Sequence, residues 1–120
     1  MAAILVVEDT PANLALAAKL LRAAGHDVLE ATNGLDGVAL TKTRHPDLVL
    51  MDLGLPDMDG AAALREIRAD QATVDVRVVA FTAHAMHGDR DRALAAGFDD
   101  YLTKPIDFAT FSTTVGGLLP

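Results

Sequence analysis

Five short apolar runs, each followed by a segment with helical features, constrain the fold of this chain more than any other feature. The runs cover residues 4–7, 28–31, 48–51, 76–81 and 101–103. Each is about the length of a strand and is rich in residues that favour strands. Strands that alternate with helices form a parallel sheet covered by helices. The sequence therefore predicts an α/β fold with five strands and five helices.

The size of the chain fits one domain. Its 120 residues are 51% hydrophobic, and a chain of this length can bury roughly two-thirds of its unfolded surface in a single core. We therefore expect residues 1–120 to form a single domain. The longest apolar run, residues 2–7, is far shorter than the roughly 20 residues that cross a bilayer. We expect no membrane partner.

The charge distribution argues against direct binding of nucleic acid. The formal net charge is −7, and the ten Lys and Arg residues are scattered along the chain. A surface that follows a phosphate backbone needs basic residues gathered in a patch or stripe.

The chain also contains no cysteine, which agrees with a reducing compartment. We expect a cytoplasmic protein.

Turn and cap residues predict the helices. Thr10 can cap the first helix, Pro11 suits its first turn, and Gly25 ends it. Three further helices are expected over residues 35–43, 61–69 and 89–97. In the last helix, an inward stripe should comprise Phe108, Phe111, Val115 and Leu118. Gly116 and Gly117 lower its helix propensity, so we expect a short helix that depends on packing.

Five polar residues stand where apolar runs stop, and these are the candidate site residues: Glu8, Asp9, Asp52, Thr82 and Lys104. The carboxyl ends of parallel strands meet at one edge of a sheet, where ligands bind at the point at which strand order reverses. In the order 2-1-3-4-5 that point lies between strands one and three. The three carboxylates follow those two strands.

The chemistry of these residues suits phosphoryl transfer. Three neighbouring carboxylates repel one another, and a hard divalent cation compensates their charge. Magnesium accepts such oxygen ligands and keeps several waters. A carboxylate such as Asp52 can attack phosphorus, while Lys104 and Thr82 offset charge on the transferring oxygens. We predict a magnesium site next to a phosphoryl acceptor.

These residues belong to a longer set of motifs. The motifs are VED at 7–9, PDLVLMDL at 46–53, LP at 55–56, MDG at 58–60, FTA at 81–83 and YLTKP at 101–105. In these motifs the chain resembles the receiver domains of two-component response regulators, from residue 4 to about residue 111. The resemblance implies a flavodoxin-like receiver fold with strand order 2-1-3-4-5 and a role in phosphorelay signalling.

The resemblance also implies a role for each site residue. Asp52 would be the phosphoacceptor and a metal ligand. Asp9 would bind the metal directly, Glu8 would act through water, and Gly54 would contribute its backbone carbonyl.

The resemblance extends to the switch. Thr82 would bind the phosphoryl group and move inward, Lys104 would pair with that group, and Tyr101 would change rotamer. The Lys104–Pro105 peptide bond is expected to be cis.

The resemblance implies two kinds of protein partner. A sensor histidine kinase or a histidine phosphotransfer protein would donate the phosphoryl group, and a downstream protein would bind the last two helices and the fifth strand. Residues 82–89 are similar to those of stand-alone cell-division receivers and of receivers in hybrid kinases. Gly54 and His84 occupy the two positions that tune the lifetime of the aspartyl phosphate in this family.

Other interpretations remain open at this point. A dehalogenase-type phosphatase would place a second acid two residues after its nucleophile, where this chain has Gly54. A flavodoxin-like cofactor binder would favour phosphate in its first loop, where Glu8 and Asp9 would repel it. A receiver-like scaffold would bind partners without phosphorylation. His84 and His87 could suggest a metal site, but we interpret them as loop or surface residues.

Overall fold

A computed structural model describes residues 2–82 and 89–120 of the chain. The strands are β1 (Ala3–Val7), β2 (Asp27–Ala31), β3 (Leu48–Asp52), β4 (Arg77–Thr82) and β5 (Asp100–Thr103). The helices are α1 (Pro11–Ala23), α2 (Gly34–Arg44), α3 (Gly60–Ala69), α4 (Asp89–Ala96) and α5 (Phe111–Leu118). Strands and helices alternate as the sequence predicts.

The five strands form one parallel sheet in the order β2-β1-β3-β4-β5. The predicted order is confirmed. Val7 pairs with Met51 across β1 and β3, and Asp52 pairs with Phe81 across β3 and β4. The register therefore brings the carboxyl ends of these strands to one edge, and the order reverses between β1 and β3.

Both faces of the sheet are covered. On one face, Leu5 and Val49 pack in a cluster with Ile67 of α3. On the other face, Ile4 and Leu50 pack with residues of α1 and α5. Successive strand residues therefore enter opposite cores, which explains why β3 is buried along its whole length.

Helix starts differ in part from the sequence prediction. Thr10 lies at the N-cap of α1, but its side chain makes no capping hydrogen bond. The capping prediction was wrong for that side chain, because the loop is organised by Glu8, whose Oε2 accepts a hydrogen bond from the Thr10 backbone N–H at 3.0 Å. The predicted end of α1 at Gly25 is confirmed, and this glycine has φ +94°.

The prediction that Phe108 faces the core was wrong. Its residue surface is 70% exposed, and α5 begins only at Phe111. Asp107 forms a turn before the helix, since its Oδ1 accepts from the Ala109 N–H and its carbonyl accepts from the Phe111 N–H, both at 2.9 Å. Phe108 lies in this turn and points away from the core. The short α5, eight residues long, agrees with the poor helix propensity of its sequence.

We expected His84 and His87 to be loop or surface residues, and His84 to occupy a position that tunes the phosphate lifetime. Both residues lie outside the described residues. Within the described ranges, no helix combines the length and apolar character required to cross a membrane.

Candidate metal and phosphoacceptor site

Three carboxylates meet at the sheet edge between β1 and β3. One oxygen from each of Glu8, Asp9 and Asp52 lies within 4.8 Å of the others. Glu8 is fully buried, Asp52 is 6% exposed and Asp9 is exposed. The sequence places these residues at the ends of two strands, and the structure brings them together.

Lys104 provides the positive charge in this cluster. Its Nζ lies 2.5 Å from Glu8 Oε1 and 3.5 Å from Asp52 Oδ2, and its side chain is only 9% exposed. The ammonium also lies 5.1 Å from the centroid of the Phe81 ring. Buried charges are stable only when they are paired and hydrogen-bonded. Lys104 therefore compensates the charge of two buried carboxylates.

Hydrogen bonds fix both buried carboxylates. Glu8 uses one oxygen for Lys104 and the other for the Thr10 N–H. Asp52 Oδ1 accepts a hydrogen bond from the Gly54 N–H at 3.0 Å. Because each oxygen of Glu8 already has a donor, the geometry fits an indirect role for Glu8 beside an ion. Asp9 is the carboxylate of the three that is open to solvent.

The loop after β3 folds back on the site. Gly54 and Asp59 pair in an isolated antiparallel bridge, and the Gly60 N–H donates to the Leu53 carbonyl at 3.1 Å. A Cβ atom at Gly60 would lie 2.7 Å from the Asp52 carbonyl oxygen. Glycine at this position thus permits the close return of the chain that holds Gly54 beside Asp52.

Thr82 and Tyr101 lie on the side of the site formed by β4 and β5. Thr82 ends β4, is 2% exposed, and accepts a hydrogen bond from the Lys104 backbone N–H on its carbonyl at 2.7 Å. Tyr101 is half-buried and packs against the core cluster of Leu5 and Val49. The Lys104–Pro105 peptide bond is cis, as expected.

The donors of the cluster fit a hard divalent cation. They are carboxylate oxygens, without sulfur or imidazole among the three grouped side chains, and magnesium prefers oxygen ligands. The exposed Asp9 leaves a route by which an ion with bound waters can enter. Lys104 balances only part of the negative charge of the three carboxylates. The remaining charge and the oxygen ligands therefore suit a magnesium ion.

A further carboxylate near the site was not identified from the sequence. Asp57, in the loop after β3, accepts hydrogen bonds from the N–H groups of Gly34 at 2.7 Å and Leu35 at 2.9 Å. These bonds lower the pKa of Asp57 below its usual 3.8. The contact joins residues more than twenty positions apart, and sequence patterns carry no signal for such a pair.

The Asn33 cap of α2 was also missed, but it could have been recognised from the local pattern of Asn33 and Asp36.

A family model of the response regulator receiver domain matches residues 4–115. The chain belongs to the response-regulator receiver family. Protein PilH of Pseudomonas aeruginosa is 39% identical over 119 residues, which cover 99% of this chain and 98% of PilH. The polar-differentiation response regulator DivK of Brucella ovis is 34% identical over 116 residues, 97% of this chain and 94% of DivK. The receiver domain therefore has single-domain response regulators among its relatives.

Solved structures agree with this assignment. The receiver domain of the sensor histidine kinase PA1611 from Pseudomonas aeruginosa has a TM-score of 0.87 and 38% identity, and the match covers 98% of this chain and 96% of that one. That structure has a magnesium ion coordinated in its active-site cleft. The chemotaxis response regulator CheY4 of Vibrio cholerae matches with a TM-score of 0.91 at 23% identity, over 99% of each chain, and supports the fold alone.

The family fixes the class of function. The chain is a receiver domain of two-component signalling, a phosphoacceptor signalling module. Receiver domains interact with histidine kinases and with downstream effectors. The acidic cluster could bind a metal ion.

Proposed function

We propose that Asp52 accepts a phosphoryl group from a phosphohistidine of a sensor histidine kinase or a histidine phosphotransfer protein. The observation that carries the proposal is the position of the Asp52 carboxylate, which lies inside the acidic cluster and 3.5 Å from the Lys104 ammonium. This arrangement combines a nucleophile, oxygen ligands for a cation and a fixed positive charge. Phosphorylation would then change the affinity for a downstream protein.

The transfer is a displacement at phosphorus. A carboxylate oxygen of Asp52 forms the new P–O bond, the P–N bond of the phosphohistidine breaks, and its electron pair goes to the imidazole nitrogen. The Gly54 N–H orients Asp52 through its bond to Oδ1. Lys104 stabilises negative charge on the phosphoryl oxygens, and the Thr82 hydroxyl would bind one of them.

Magnesium is the proposed cofactor. Asp9, Asp52 and the Gly54 carbonyl would hold it, and Glu8 would act through a water molecule. When bound, the ion supplies positive charge that stabilises the phosphoryl oxygens during transfer. Glu8 also has a task of its own, because its bond to Lys104 fixes the ammonium next to Asp52.

The same side of the domain suits signal output. We propose that Thr82 and Tyr101 form the switch, and that α4, β5 and α5 form the surface that a downstream protein binds. Tyr101 lies on β5, an edge strand whose residues are half-buried or exposed. A shift of a few kcal/mol between two states changes partner binding markedly.

We also propose that residues 1–120 form one receiver domain. The family match over residues 4–115 supports this extent. A cytoplasmic location agrees with the absence of cysteine from the sequence. Kinase-dependent phosphorylation would take place there.

The test is phosphoryl uptake from acetyl phosphate, followed by intact mass spectrometry. Wild type should gain one phosphoryl group in the presence of magnesium and none in the presence of EDTA. Asp52→Asn should gain none under either condition, because the amide is a poor nucleophile. The matched control is Asp75→Asn, which makes the same change at an exposed carboxylate before β4. It should behave as wild type.

Each outcome has a clear reading. Uptake that requires both magnesium and Asp52 supports the proposal. Uptake by Asp52→Asn equal to wild type would assign the modification to another residue. No uptake by a wild-type protein with an intact circular dichroism spectrum would contradict phosphorylation and favour a scaffold that binds partners without it.

A further inference from the structure

The loop between β3 and α3 is fastened to the first turn of α2. Asp57 lies in the middle of this loop, and its two carboxylate oxygens accept from the Gly34 and Leu35 N–H groups at 2.7 and 2.9 Å. We call this contact the Asp57 clamp. The first N–H groups of a helix have no partner within the helix, and the positive end of the helix dipole favours a carboxylate. The clamp therefore joins two elements through charge-assisted hydrogen bonds.

The packing around Gly34 shows the same docking independently. A Cβ atom at Gly34 would lie 2.4 Å from Met58 Cγ and 2.8 Å from Met58 Sδ. A Cβ at this position would therefore displace the Met58 side chain or the loop that carries it. Glycine at this position accommodates the close contact between Met58 and α2.

Both ends of the clamp lead to the proposed metal site. On one side, α2 is seated on the end of β1, since a Cβ at Gly37 would lie 2.8 Å from Val7 Cγ2. Val7 immediately precedes Glu8 and Asp9. On the other side, the clamped loop begins just after Asp52 and contains Gly54. The clamp therefore connects the strand end that carries Asp9 with the loop that carries Gly54, by a route outside the sheet.

Other restraints hold the loop at its base and in the core. The Gly54–Asp59 bridge and the Gly60–Leu53 hydrogen bond close the loop at its base. Leu55 is 8% exposed and belongs to the same core cluster as Val7 of β1. The Asp57 and Met58 contacts give the loop a second attachment, to α2, on the side of Gly54 away from β3 in sequence.

We infer that Asp57 is a positioning residue for the metal site, which sets the Gly54 carbonyl at the correct distance from the Asp9 carboxylate through α2. The inference rests on the proposed function, because it assumes that this site binds magnesium. Residues that orient metal ligands without touching the ion change metal affinity by about tenfold or more when they are replaced.

The test is to measure the Kd for magnesium by isothermal titration calorimetry. The thermal midpoint Tm is measured on the same samples. Asp57→Ala should raise the Kd for magnesium by roughly tenfold. Gly34→Ala should raise it as well, because the added Cβ meets Met58 and Asp57 and loosens the contact between the loop and α2, while every charge stays in place. Asp57→Asn retains the shape of the side chain and one acceptor oxygen, and it serves if the alanine variant does not fold.

Two controls separate positioning from helix stability and from charge. Asn33→Ala removes the other cap of α2, where Oδ1 accepts from the Asp36 N–H at 2.8 Å, and should lower Tm with the magnesium Kd within twofold of wild type. Asp36→Asn removes an exposed carboxylate from the same helical turn. It should likewise leave the Kd within twofold.

The outcomes distinguish this inference from the proposal on which it rests. A magnesium Kd within twofold of wild type in folded Asp57→Ala, or an equal rise in Asn33→Ala, would overturn the positioning role alone. A folded wild-type protein that binds no magnesium would remove the proposed site and the inference together. A rise in Kd for Asp57→Ala and Gly34→Ala, with both controls unchanged, supports the inference.

Discussion

β3 and β5 each deliver a residue of the site, yet they are held in the fold very differently. All five residues of β3 are buried, and the strand pairs with β1 and β4 on its two sides. β5 pairs with β4 alone, three of its residues are half-buried and the last is exposed. Asp52, the proposed nucleophile, thus ends a well-packed strand, whereas its counter-charge Lys104 follows a less buried one. The charge balance of the site therefore depends on a residue that follows an edge strand.

The outer side of α5 is open. α5 buries Phe111, Val115 and Leu118 in the core, but Cβ atoms at Gly116 and Gly117 would meet nothing within 4 Å. The end of α5 is fixed from outside the helix, because Arg77 Nε donates to the Leu118 carbonyl. Open space beside α5 and the edge position of β5 agree with the proposed role of this region in switching.

The largest effect is expected when the charge network that joins the ends of β1, β3 and β5 is broken. Lys104→Met leaves Glu8 buried without its ammonium partner, and breaking a buried pair costs about 3–5 kcal/mol. Urea unfolding in EDTA should show this loss in the free energy of unfolding. Lys19→Met, at an exposed position of α1, is the control and should change it by less than about 0.5 kcal/mol. Equal effects of the two substitutions would contradict the buried network.

A matched pair of leucines measures the difference between the strands directly. Leu50 in β3 is fully buried, whereas Leu102 in β5 is half-buried. Leu50→Ala should cost about 3–4 kcal/mol, and Leu102→Ala about 1–2 kcal/mol, because less apolar surface and a smaller cavity are involved. Urea unfolding of both variants gives the comparison. Losses of equal size would show that β5 is packed as firmly as β3.

Smaller effects of opposite sign are expected at glycines. Gly116→Ala and Gly117→Ala should each raise the free energy of unfolding by about 0.5–1 kcal/mol, because alanine favours the helix and the space is open. Gly25→Ala should lower it, although its surroundings are also open, because Gly25 has φ +94°. Thermal unfolding followed by circular dichroism distinguishes these signs. Destabilisation by both α5 substitutions would show that α5 needs its glycines.

The smallest effect concerns pH and the α2 side of the molecule. The Gly34 and Leu35 N–H groups lower the pKa of Asp57 below 3.8. A lowered pKa stabilises the fold above the unfolded value, and this stabilisation is lost as the pH falls through the folded value. The Tm difference between wild type and Asp57→Asn should therefore be present at neutral pH and shrink below 3.8. A difference independent of pH would exclude an effect of charge.

Local patterns in the sequence predicted the strands, the helices and the convergence of Glu8, Asp9 and Asp52. They did so because parallel β–α repeats bring every strand end to one edge, whatever the details of packing. The roles assigned to individual site residues came from the resemblance to receiver domains and remain predictions. The prediction for Phe108 was wrong because the apolar spacing of α5 was extended back to residue 108. The Asp107 side chain accepts a hydrogen bond from the Ala109 N–H and forms a turn there, so the helix begins only at Phe111.

Tertiary pairs were beyond the reach of the sequence. The bond from Lys104 to Glu8 and the bonds from Asp57 to α2 both join distant positions. Strand ends place Lys104 and Glu8 at the same sheet edge, but neighbouring residues do not show that the two pair, and they give no signal for the pairing of Asp57 with α2. Three-dimensional coordinates were needed to show both contacts.

The bond between Glu8 and Lys104 spans 96 positions, and it has a consequence for protein synthesis. Translation delivers Glu8, Asp9 and Asp52 while Lys104 has yet to be made. During that interval the three carboxylates lack the ammonium that balances Glu8 and Asp52. The charge balance of the cluster is therefore completed only after β5 and Lys104 have been translated.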